Sequence, residues 1–521
     1  MPKEIELKLS LPAHCVKHLL HIPLLDNLSI SAPPRQKKLH TVYYDTPELT
    51  LKNQRCALRL RQSGNVWIQT IKTEGSAASG LHERDEWEVP LVGNQLDFSQ
   101  LSDPVIPKFF SDPALREQLR PIFRTEFTRQ IRILQPNKSD QIELCIDRGK
   151  IITDHLKEPF AEIELELKTG NPVALFKFAL LLAQSFTFPI RLENRSKAER
   201  GYSLYTGHQT PPVKAQPIVL TADMDPTEAF VLIAQNCLAH LTKNEQGTLA
   251  GDDIEYLHQM RVALRRLRSA FDIFSSVLHD PEPLVHELKW LTRQFNPARD
   301  WDVFVMEHLS LIQKNFAKHS GILSIRKVCE KLRQSHNKTA CYSIRSKRYL
   351  ELILQLNLWL AELLPYSIQL SAQQRAKTTL KKFTTSLLTE RHEHILGVCQ
   401  KIEELDASSL HALRISIKKQ RYAVDFLQTL YSPKAAKQYI KTLSTLQDIL
   451  GALNDSTTIN KLLGEIPKSK ANTLTIREAI GIILGWNKQQ IRQKKTELKH
   501  ALPAFCNSLP FWRTHKKYIC I

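Results

Sequence analysis

The period-two alternation near the start of the chain, Glu4-Ile5-Glu6-Leu7-Lys8-Leu9, constrains the fold more than any other stretch. In an extended strand it puts Glu4, Glu6 and Lys8 on one face and Ile5, Leu7 and Leu9 on the other. A near copy lies far downstream, Ala161-Glu-Ile-Glu-Leu-Glu-Leu-Lys168, so two strands carry carboxylates at alternate positions. Either one alone reads as a half-buried edge strand with a wet ionic face. Together they gather carboxylates that repel unless a cation sits between them, and a hard divalent cation with oxygen ligands suits that place. Mg²⁺ takes one or two carboxylates, keeps several waters and adds substrate phosphates, so basic residues are expected nearby.

Basic residues do follow on further alternating stretches. After a helical run near 13–20, His40 to Pro47 reads as a strand entering a turn, and Arg59 and Arg61 share a face in the next strand. A turn at Ser63-Gly64-Asn65 leads to Val66–Lys72, with Lys72 on the face of Thr70. Residues 75–80 read as a loop, and a strand over 84–89 places Arg84, Glu86 and Glu88 together. Phe123 to Leu134 carries Arg129, and Gln141 to Asp147 ends at an expected turn, Arg148-Gly149-Lys150. The acidic copy comes next, then a helical run over 173–185 and a basic segment, 191–202, with Lys197 and Arg200. Closing such a sheet into a barrel gives its charged faces a common lumen.

These landmarks resemble the CYTH superfamily, the triphosphate tunnel metalloenzymes, over residues 1 to about 205. The resemblance rests on Glu4-x-Glu6-x-Lys8, Tyr43-Tyr44-Asp45-Thr46, Arg59-x-Arg61, Thr70-x-Lys72, Arg84-x-Glu86-x-Glu88, Arg129, Asp147, Glu162 with Glu164, and Lys197. It implies an eight-stranded antiparallel β tunnel that takes a linear triphosphate end-on. Glu4, Glu6, Asp147, Glu162 and Glu164 would hold one or two Mg²⁺ or Mn²⁺ ions. Lys8, Arg59, Arg61, Lys72, Arg84, Arg129 and Lys197 would grip phosphate oxygens, as bidentate guanidinium forks and point charges do. The nucleophile would be a metal-positioned water, with Lys8 also in the catalytic set and Lys72, Tyr43 or Tyr44 assisting; the sequence leaves the proton acceptor open.

Residues 206–225 are Pro-rich and aperiodic and read as a linker. Charge changes across them. Residues 1–210 hold 28 Lys plus Arg against 25 Asp plus Glu, and the rest of the chain holds 44 against 28, so nearly all of the net charge of +19 lies in the second part. Such an excess implies a polyanionic partner. This part reads as helical throughout, with few glycines and Pro-marked turns at Pro281, Pro283 and Pro433. It also repeats: His258, Arg261, Arg265 and Arg268 recur 153 residues later as His411, Arg414, Lys418 and Arg421, with the same three-four-three spacing. That spacing forms one helical stripe with no acidic residue inside it, and like charges that close weaken a helix, so an anion is expected as counter-charge. No Cys or second His at zinc spacing accompanies the two histidines, which leaves phosphate contact or a structural hydrogen bond as their role.

This half resembles the CHAD domain over residues 225–510, through the two His-x-x-Arg helices, Arg299-Asp-Trp-Asp302, Ser346-Lys-Arg-Tyr349 and Leu450-Gly-Ala-Leu-Asn-Asp455. Gln420 departs from the family, which usually has an aliphatic residue there; packing rather than charge should feel it. The resemblance implies two antiparallel four-helix bundles, with inorganic polyphosphate bound by the two basic stripes. The expected architecture is therefore α+β and multidomain: a catalytic β tunnel over 1–205, a linker over 206–225, duplicated all-α bundles over 226–510 and a tail over 511–521.

Nine cysteines without CxxC spacing, no leader pattern and no apolar run approaching ~18 residues point to a soluble cytoplasmic protein without membrane attachment. The expected activity is hydrolysis of inorganic triphosphate to pyrophosphate and phosphate. Adenylate cyclase or nucleoside or thiamine triphosphatase chemistry is the alternative enzyme, and a polyphosphate- or nucleic-acid-binding module the alternative of another class. Sparse aromatics on the basic stripes, Tyr422 being the clearest, argue against nucleic acid.

Overall fold

Alternating sequences form strands where both faces find a use, the apolar one against a core and the ionic one in a lumen. The computed structural model describes residues 4–30, 34–73, 75–78, 80–84, 86–99, 107–208, 210–374, 379–400 and 406–513, with side chains undescribed at 76–78, 83–84, 364–374, 407 and 435. Eleven strands form one antiparallel sheet: β1 (Glu4–Ser10), β2 (Arg35–Asp45), β3 (Cys56–Ser63), β4 (Val66–Thr73), β5 (Ser76–Ala78), β6 (Leu81–Arg84), β7 (Glu86–Leu91), β8 (Arg120–Leu134), β9 (Gln141–Ile152), β10 (Lys157–Thr169) and β11 (Arg191–Leu192). Their order is β5-β6-β1-β10-β9-β8-β2-β3-β4-β7, with β11 also on β1.

β6 and β7 lie towards opposite ends of that order, yet only residue 85 separates them in the chain. Cα atoms two residues apart cannot be more than about 7 Å apart, so the two ends of the sheet must meet and the sheet curls into a tunnel. The expected eight strands are thus present, with short β5, β6 and β11 added. Three details differ from the sequence reading. The single strand expected over 84–89 is two, divided between the sheet's ends. The expected loop at 75–80 contains β5. Arg148-Gly149-Lys150 is no turn but the middle of β9: a Cβ on Gly149 would come 2.1 Å from the Glu126 carbonyl oxygen, so the glycine permits close strand approach.

The apolar face forms the outer core. Leu7, Leu9, Ile163 and Leu165 are buried under helix α1 (Val173–Ser185), each such side chain contributing roughly 1.5–3 kcal/mol. Helix α2 (Lys197–Thr206) starts from a reciprocal Ser196–Glu199 capping box and ends at Gly207 with φ +64°.

The chain divides into two compact units. The first comprises Met1–Val213, Thr242–Ala250 and Ile344–Glu362. Within it, the Asn244 side chain bonds both main-chain groups of Val213 at 2.9 Å, and the Tyr349 hydroxyl donates to Glu245 on α3 (Glu245–Ala250). The second comprises Lys214–Leu241, Gly251–Ser343 and Leu363–Ile521 and is helical. Its elements include α4 (Ile254–Ile273), α5 (Glu282–Val303), α6 (Leu380–Gln400), α7 (Ala407–Leu427), α8 (Pro433–Gly464) and α9 (Leu474–Cys506). The duplication is visible in the caps: Asp253 opens α4 and Asp406 opens α7, each accepting a main-chain N–H of the first turn. α4 packs on α5 and α7, α7 on α6 and α8, and α8 on α9. Among the described residues no helix is long and apolar enough to cross a membrane.

Candidate active site

Directly paired residues of an antiparallel sheet share a face, so register alone carries the ionic face around the tunnel. Lys8 pairs with Glu164, Asp147 with both Glu162 and Arg129, Tyr43 with Arg59, Arg59 with Thr70, and Lys72 with Glu86. The carboxylates of Asp147, Glu162 and Glu164 consequently converge, each offering an oxygen within 4.8 Å of the others, all three residues buried. Lys197, the first residue of α2, reaches into them, 2.7 Å from Asp147 Oδ2 and 2.9 Å from Glu164 Oε1, and also donates to Glu162. Arg129 clamps both oxygens of Asp147 at 2.7 Å and also contacts Glu164. Lys8 Nζ lies 2.6 Å from Glu164 and 2.9 Å from Glu6.

The three carboxyls are not equivalent. Burial pushes Glu164 up, but Lys197, Lys8 and Arg129 hold it well below the usual carboxylate range. For Glu162 burial outweighs the pull of Lys197, and its pKa is raised. Glu162 Oε2 is buried without a hydrogen bond, the Arg200 guanidinium standing 3.5 Å away. Burial opposes the charge of Lys197, but its three carboxylate partners raise its pKa.

A second ionic cluster forms on the same face. Lys72 bridges Glu4 at 3.1 Å and Glu86 at 2.6 Å, and Arg59 contacts Glu86 at 3.2 Å and Glu88 at 3.6 Å. Burial raises the Glu4 pKa, Lys72 only partly opposing it. The five expected metal ligands are therefore divided: three converge, Glu6 joins them through Lys8, and Glu4 sits with Lys72. Arg61 makes no ion pair among the described residues, and burial with Arg59 and Arg129 brings its guanidinium down to about 10. Its Nε is buried without a hydrogen bond. Arg59 and Arg129 thus add their repulsion to burial at Arg61.

Of the two candidate tyrosines only Tyr43 faces the lumen. Burial pushes its hydroxyl up, but Arg59 and Arg61 pull it below the ordinary tyrosine value. Tyr44 points to the opposite face and packs against the cluster of Leu51, Leu58 and Trp87, because neighbours in a strand alternate. Its assignment as a catalytic group is corrected. Asp45 is structural: it accepts the main-chain N–H groups of Thr46, Leu51 and Lys52 and the Tyr202 hydroxyl. The Arg84 side chain lies outside the described residues, its backbone pairing with Glu4. Sequence reasoning left Glu86, Glu88 and Arg200 out of the site, although the alternation at 84–88 signals the first two.

In the second unit the stripes of α4 and α7 share one electrostatic environment. Burial and then Arg414, Arg265 and Arg261 bring the Lys418 amine down to about 7. Part of the counter-charge comes from the protein, contrary to a reading of wholly unpaired stripes: Arg261 contacts Asp300 at 3.3 Å and Arg421 contacts Asp425, while the neutral Asn296 and Thr292 side chains accept hydrogen bonds from Arg261 and Arg268. Asp455, the counterpart of Asp300 in the repeat, attracts Arg414. Arg265 and Arg414 each keep a buried Nε without a hydrogen bond. Burial and Arg299 hold the His258 imidazole down to about 4, so it offers no positive charge near neutrality, while His411 is exposed. Within Arg299-Asp-Trp-Asp302, Trp301 is core and buried Asp302 takes Arg333 and Asn337 at 3.0 Å.

A curled antiparallel sheet with a buried lumen of carboxylates and cations, followed by a duplicated basic helical module, defines a two-domain class. The CYTH domain model matches residues 2–202 and the CHAD domain model residues 232–464. Residues of this chain are 35% identical over 208 positions to an inorganic triphosphatase of Haemophilus influenzae, covering 39% of this chain; it spans about half, 55%, of that curated relative. A solved CHAD domain from the plant Ricinus communis is 32% identical, aligned over 58% of this chain and 99% of its own length with a TM-score of 0.52. The chain belongs to the CHAD family and carries a CYTH domain ahead of its CHAD domain.

Proposed function

We propose that the tunnel hydrolyses inorganic triphosphate to pyrophosphate and phosphate with Mg²⁺ or Mn²⁺, and that the basic face of α4 and α7 binds inorganic polyphosphate. The observation that carries this reading is the register-linked face on which Asp147, Glu162 and Glu164 converge while Arg59, Arg61 and Arg129 crowd together. The similarity to the Haemophilus influenzae inorganic triphosphatase supports it. The carboxylate trio fits a hard divalent cation: its donors are all oxygen, and one buried oxygen, Glu162 Oε2, lacks a hydrogen bond. A bound cation there would polarise phosphoryl oxygens and lower the pKa of a coordinated water.

The residues of the chain do the rest. Arg59 and Arg61 donate to the terminal phosphate, Arg61 the more readily because no carboxylate holds it in an ion pair. Arg129, Lys8 and Lys197 hold Glu164 ionised, and Arg129 and Lys197 orient the Asp147 carboxylate beside it. Water oxygen bonds to the terminal phosphorus as the bridging P–O bond breaks, pyrophosphate leaving with the electron pair. Lys72 Nζ and Tyr43 Oη are the lumen groups within this reading that can manage the water proton. On the helical face, Arg265, Arg414 and Lys418 contact the polyanion. A cytoplasmic setting belongs to the same reading, supported by the buried free thiols of Cys15, Cys56, Cys145, Cys237 and Cys329.

The test is phosphate release by the purified full chain with Mg²⁺ or Mn²⁺, offering inorganic triphosphate, ATP and thiamine triphosphate in parallel. Preference for inorganic triphosphate is expected; preference for ATP, or a cyclic product, overturns the substrate assignment. Retention of labelled polyphosphate against RNA competitor tests the helical face.

A further inference from the structure

Lys8 and Lys197 need a fixed backbone to keep their amines among the carboxylates, and the segment between them in space is short. β11 pairs with β1 at only Leu9–Leu192 and Ser10–Arg191, after which Glu193 N donates to Lys8 O at 2.9 Å. Two pairs are too few to hold a strand unaided. Side-chain bonds supply the remainder. Glu193 is 4% exposed; its carboxylate accepts from Arg195 N at 3.0 Å and from Gln246 Nε2, which lies 3.3 Å from both oxygens. Its carbonyl oxygen is 3.0 Å from His82 Nε2. Asn194 accepts from Gly80 N at 2.8 Å and donates to Thr242 O at 3.3 Å. Gly80 O in turn accepts from Lys8 N at 2.8 Å. The Lys8 peptide groups are thus gripped on both sides, N–H by Gly80 and C=O by Glu193. Gly80 has φ +79°, and a Cβ there would meet the Leu192 side chain at 2.6 Å, so the grip leaves room only for glycine.

The same segment leads into α2. Glu193 and Glu162 are the main attractions on the Arg200 guanidinium, which faces Glu162 at 3.5 Å. Thr242 and Gln246 belong to the first compact unit, yet they fall within the residues matched by the CHAD model rather than those matched by the CYTH model.

We propose that Glu193 and Asn194, held by Gln246 and the Thr242 carbonyl, are positioning residues for triphosphate hydrolysis, setting the Lys8 main chain and the start of α2 against the carboxylate trio. The proposal rests on the triphosphatase reading and adds that residues beyond the CYTH match complete the support of its site. Residues of this supporting kind are worth roughly 10–100-fold in activity or metal affinity.

The experiment uses the full chain: wild type, Gln246→Ala, Gln246→Glu, Asn194→Asp and Glu193→Gln, with rates of phosphate release from inorganic triphosphate against triphosphate and Mn²⁺ concentration, and thermal melts in parallel. Gln246→Glu sets a second carboxylate against buried Glu193 and is expected to lower kcat about 10–100-fold, with KM for triphosphate moving less than about threefold and half-saturating Mn²⁺ rising. Gln246→Ala is expected to show the same pattern more weakly. If Glu193→Gln fails to fold, the half-buried Gln246 position still decides the matter. An active wild type with unchanged kcat and Mn²⁺ response in both Gln246 variants overturns the positioning role. A wild type without triphosphate turnover overturns the triphosphatase reading instead, and this proposal with it.

Discussion

The tunnel lumen and the basic helical face are both dense in charge, but they handle it in opposite ways. In the lumen nearly every charge meets its complement inside the protein: Lys197 touches three carboxylates, Arg129 two, Lys72 two. On the helical face the cations outnumber their partners, and Lys418 is depressed to about 7 by burial and by three arginines. A buried, mutually compensated network holds a fixed geometry and suffers when any member is lost. An under-compensated face stores repulsion that an incoming anion relieves. The first arrangement suits chemistry at one point, and the second suits reversible binding of an extended polyanion.

The comparison breaks most sharply at Asp147. Asp147→Ala leaves Arg129 and Lys197 buried and short of a partner, so it should lower stability by about 3–5 kcal/mol as well as removing turnover. Denaturant melts beside phosphate-release assays check both parts; full stability with full activity would mean the lumen network is not mutually dependent. Next, Arg59→Ala and Arg61→Ala should separate. Both should raise KM for triphosphate, each removing a charge-assisted contact of about 1.5–3 kcal/mol. Only Arg59→Ala should also destabilise the free protein, since Glu86 is then left to Lys72 and Glu88 to the Thr70 hydroxyl, whereas Arg61 makes no ion pair among the described residues to lose. Equal melts for the two variants would contradict this.

Lys418 tests the other region through pH. Its folded pKa of about 7 lies below the ordinary lysine value, so above pH 7 the unfolded chain holds a proton that the folded one has shed. Stability of the free protein therefore rises with pH between about 7 and the ordinary lysine value, by linkage. Polyphosphate affinity should run the other way, falling as pH rises through 7, because an anion favours the charged amine. Titrations at several pH values check this, with Lys418→Arg expected to remove the fall; an identical pH profile in that variant would exclude Lys418. The smallest effect is expected at Gln420, fully buried, donating to Leu388 O and the Tyr439 hydroxyl at 3.2 Å while its own Oε1 has no hydrogen bond. Gln420→Leu should shift stability by no more than about 1 kcal/mol, lost bonds and relieved desolvation offsetting each other. Unchanged polyphosphate binding would accord with packing as its role.

Much of this was legible beforehand for a physical reason. Strand alternation is local, so the shared faces of Glu4, Glu6 and Lys8, of Arg59 and Arg61, and of Glu162 and Glu164 could be read two residues at a time. Helical spacing exposed the repeated stripes in the same way. Tyr44 was misplaced because a motif read as a block ignores the alternation within it, and Gly149 because a glycine between two cations looks like a turn when its cross-strand neighbour, Phe127, is unknown. Glu193, Asn194 and Gln246 gave no periodic signal at all.

Sequence alone therefore determined the faces: which side chains are ionic together, which are apolar together, and where the strands give way to a duplicated basic helical module. Tertiary structure decided the partners. That Glu4 meets Lys72 rather than the trio, that Asp300 and Asp455 temper the stripes, and that β6 and β7 take opposite ends of the sheet all depend on register and packing between residues far apart in the chain. A face is set by the geometry of one strand or helix, whereas a partner is set by the closure of all of them around one core.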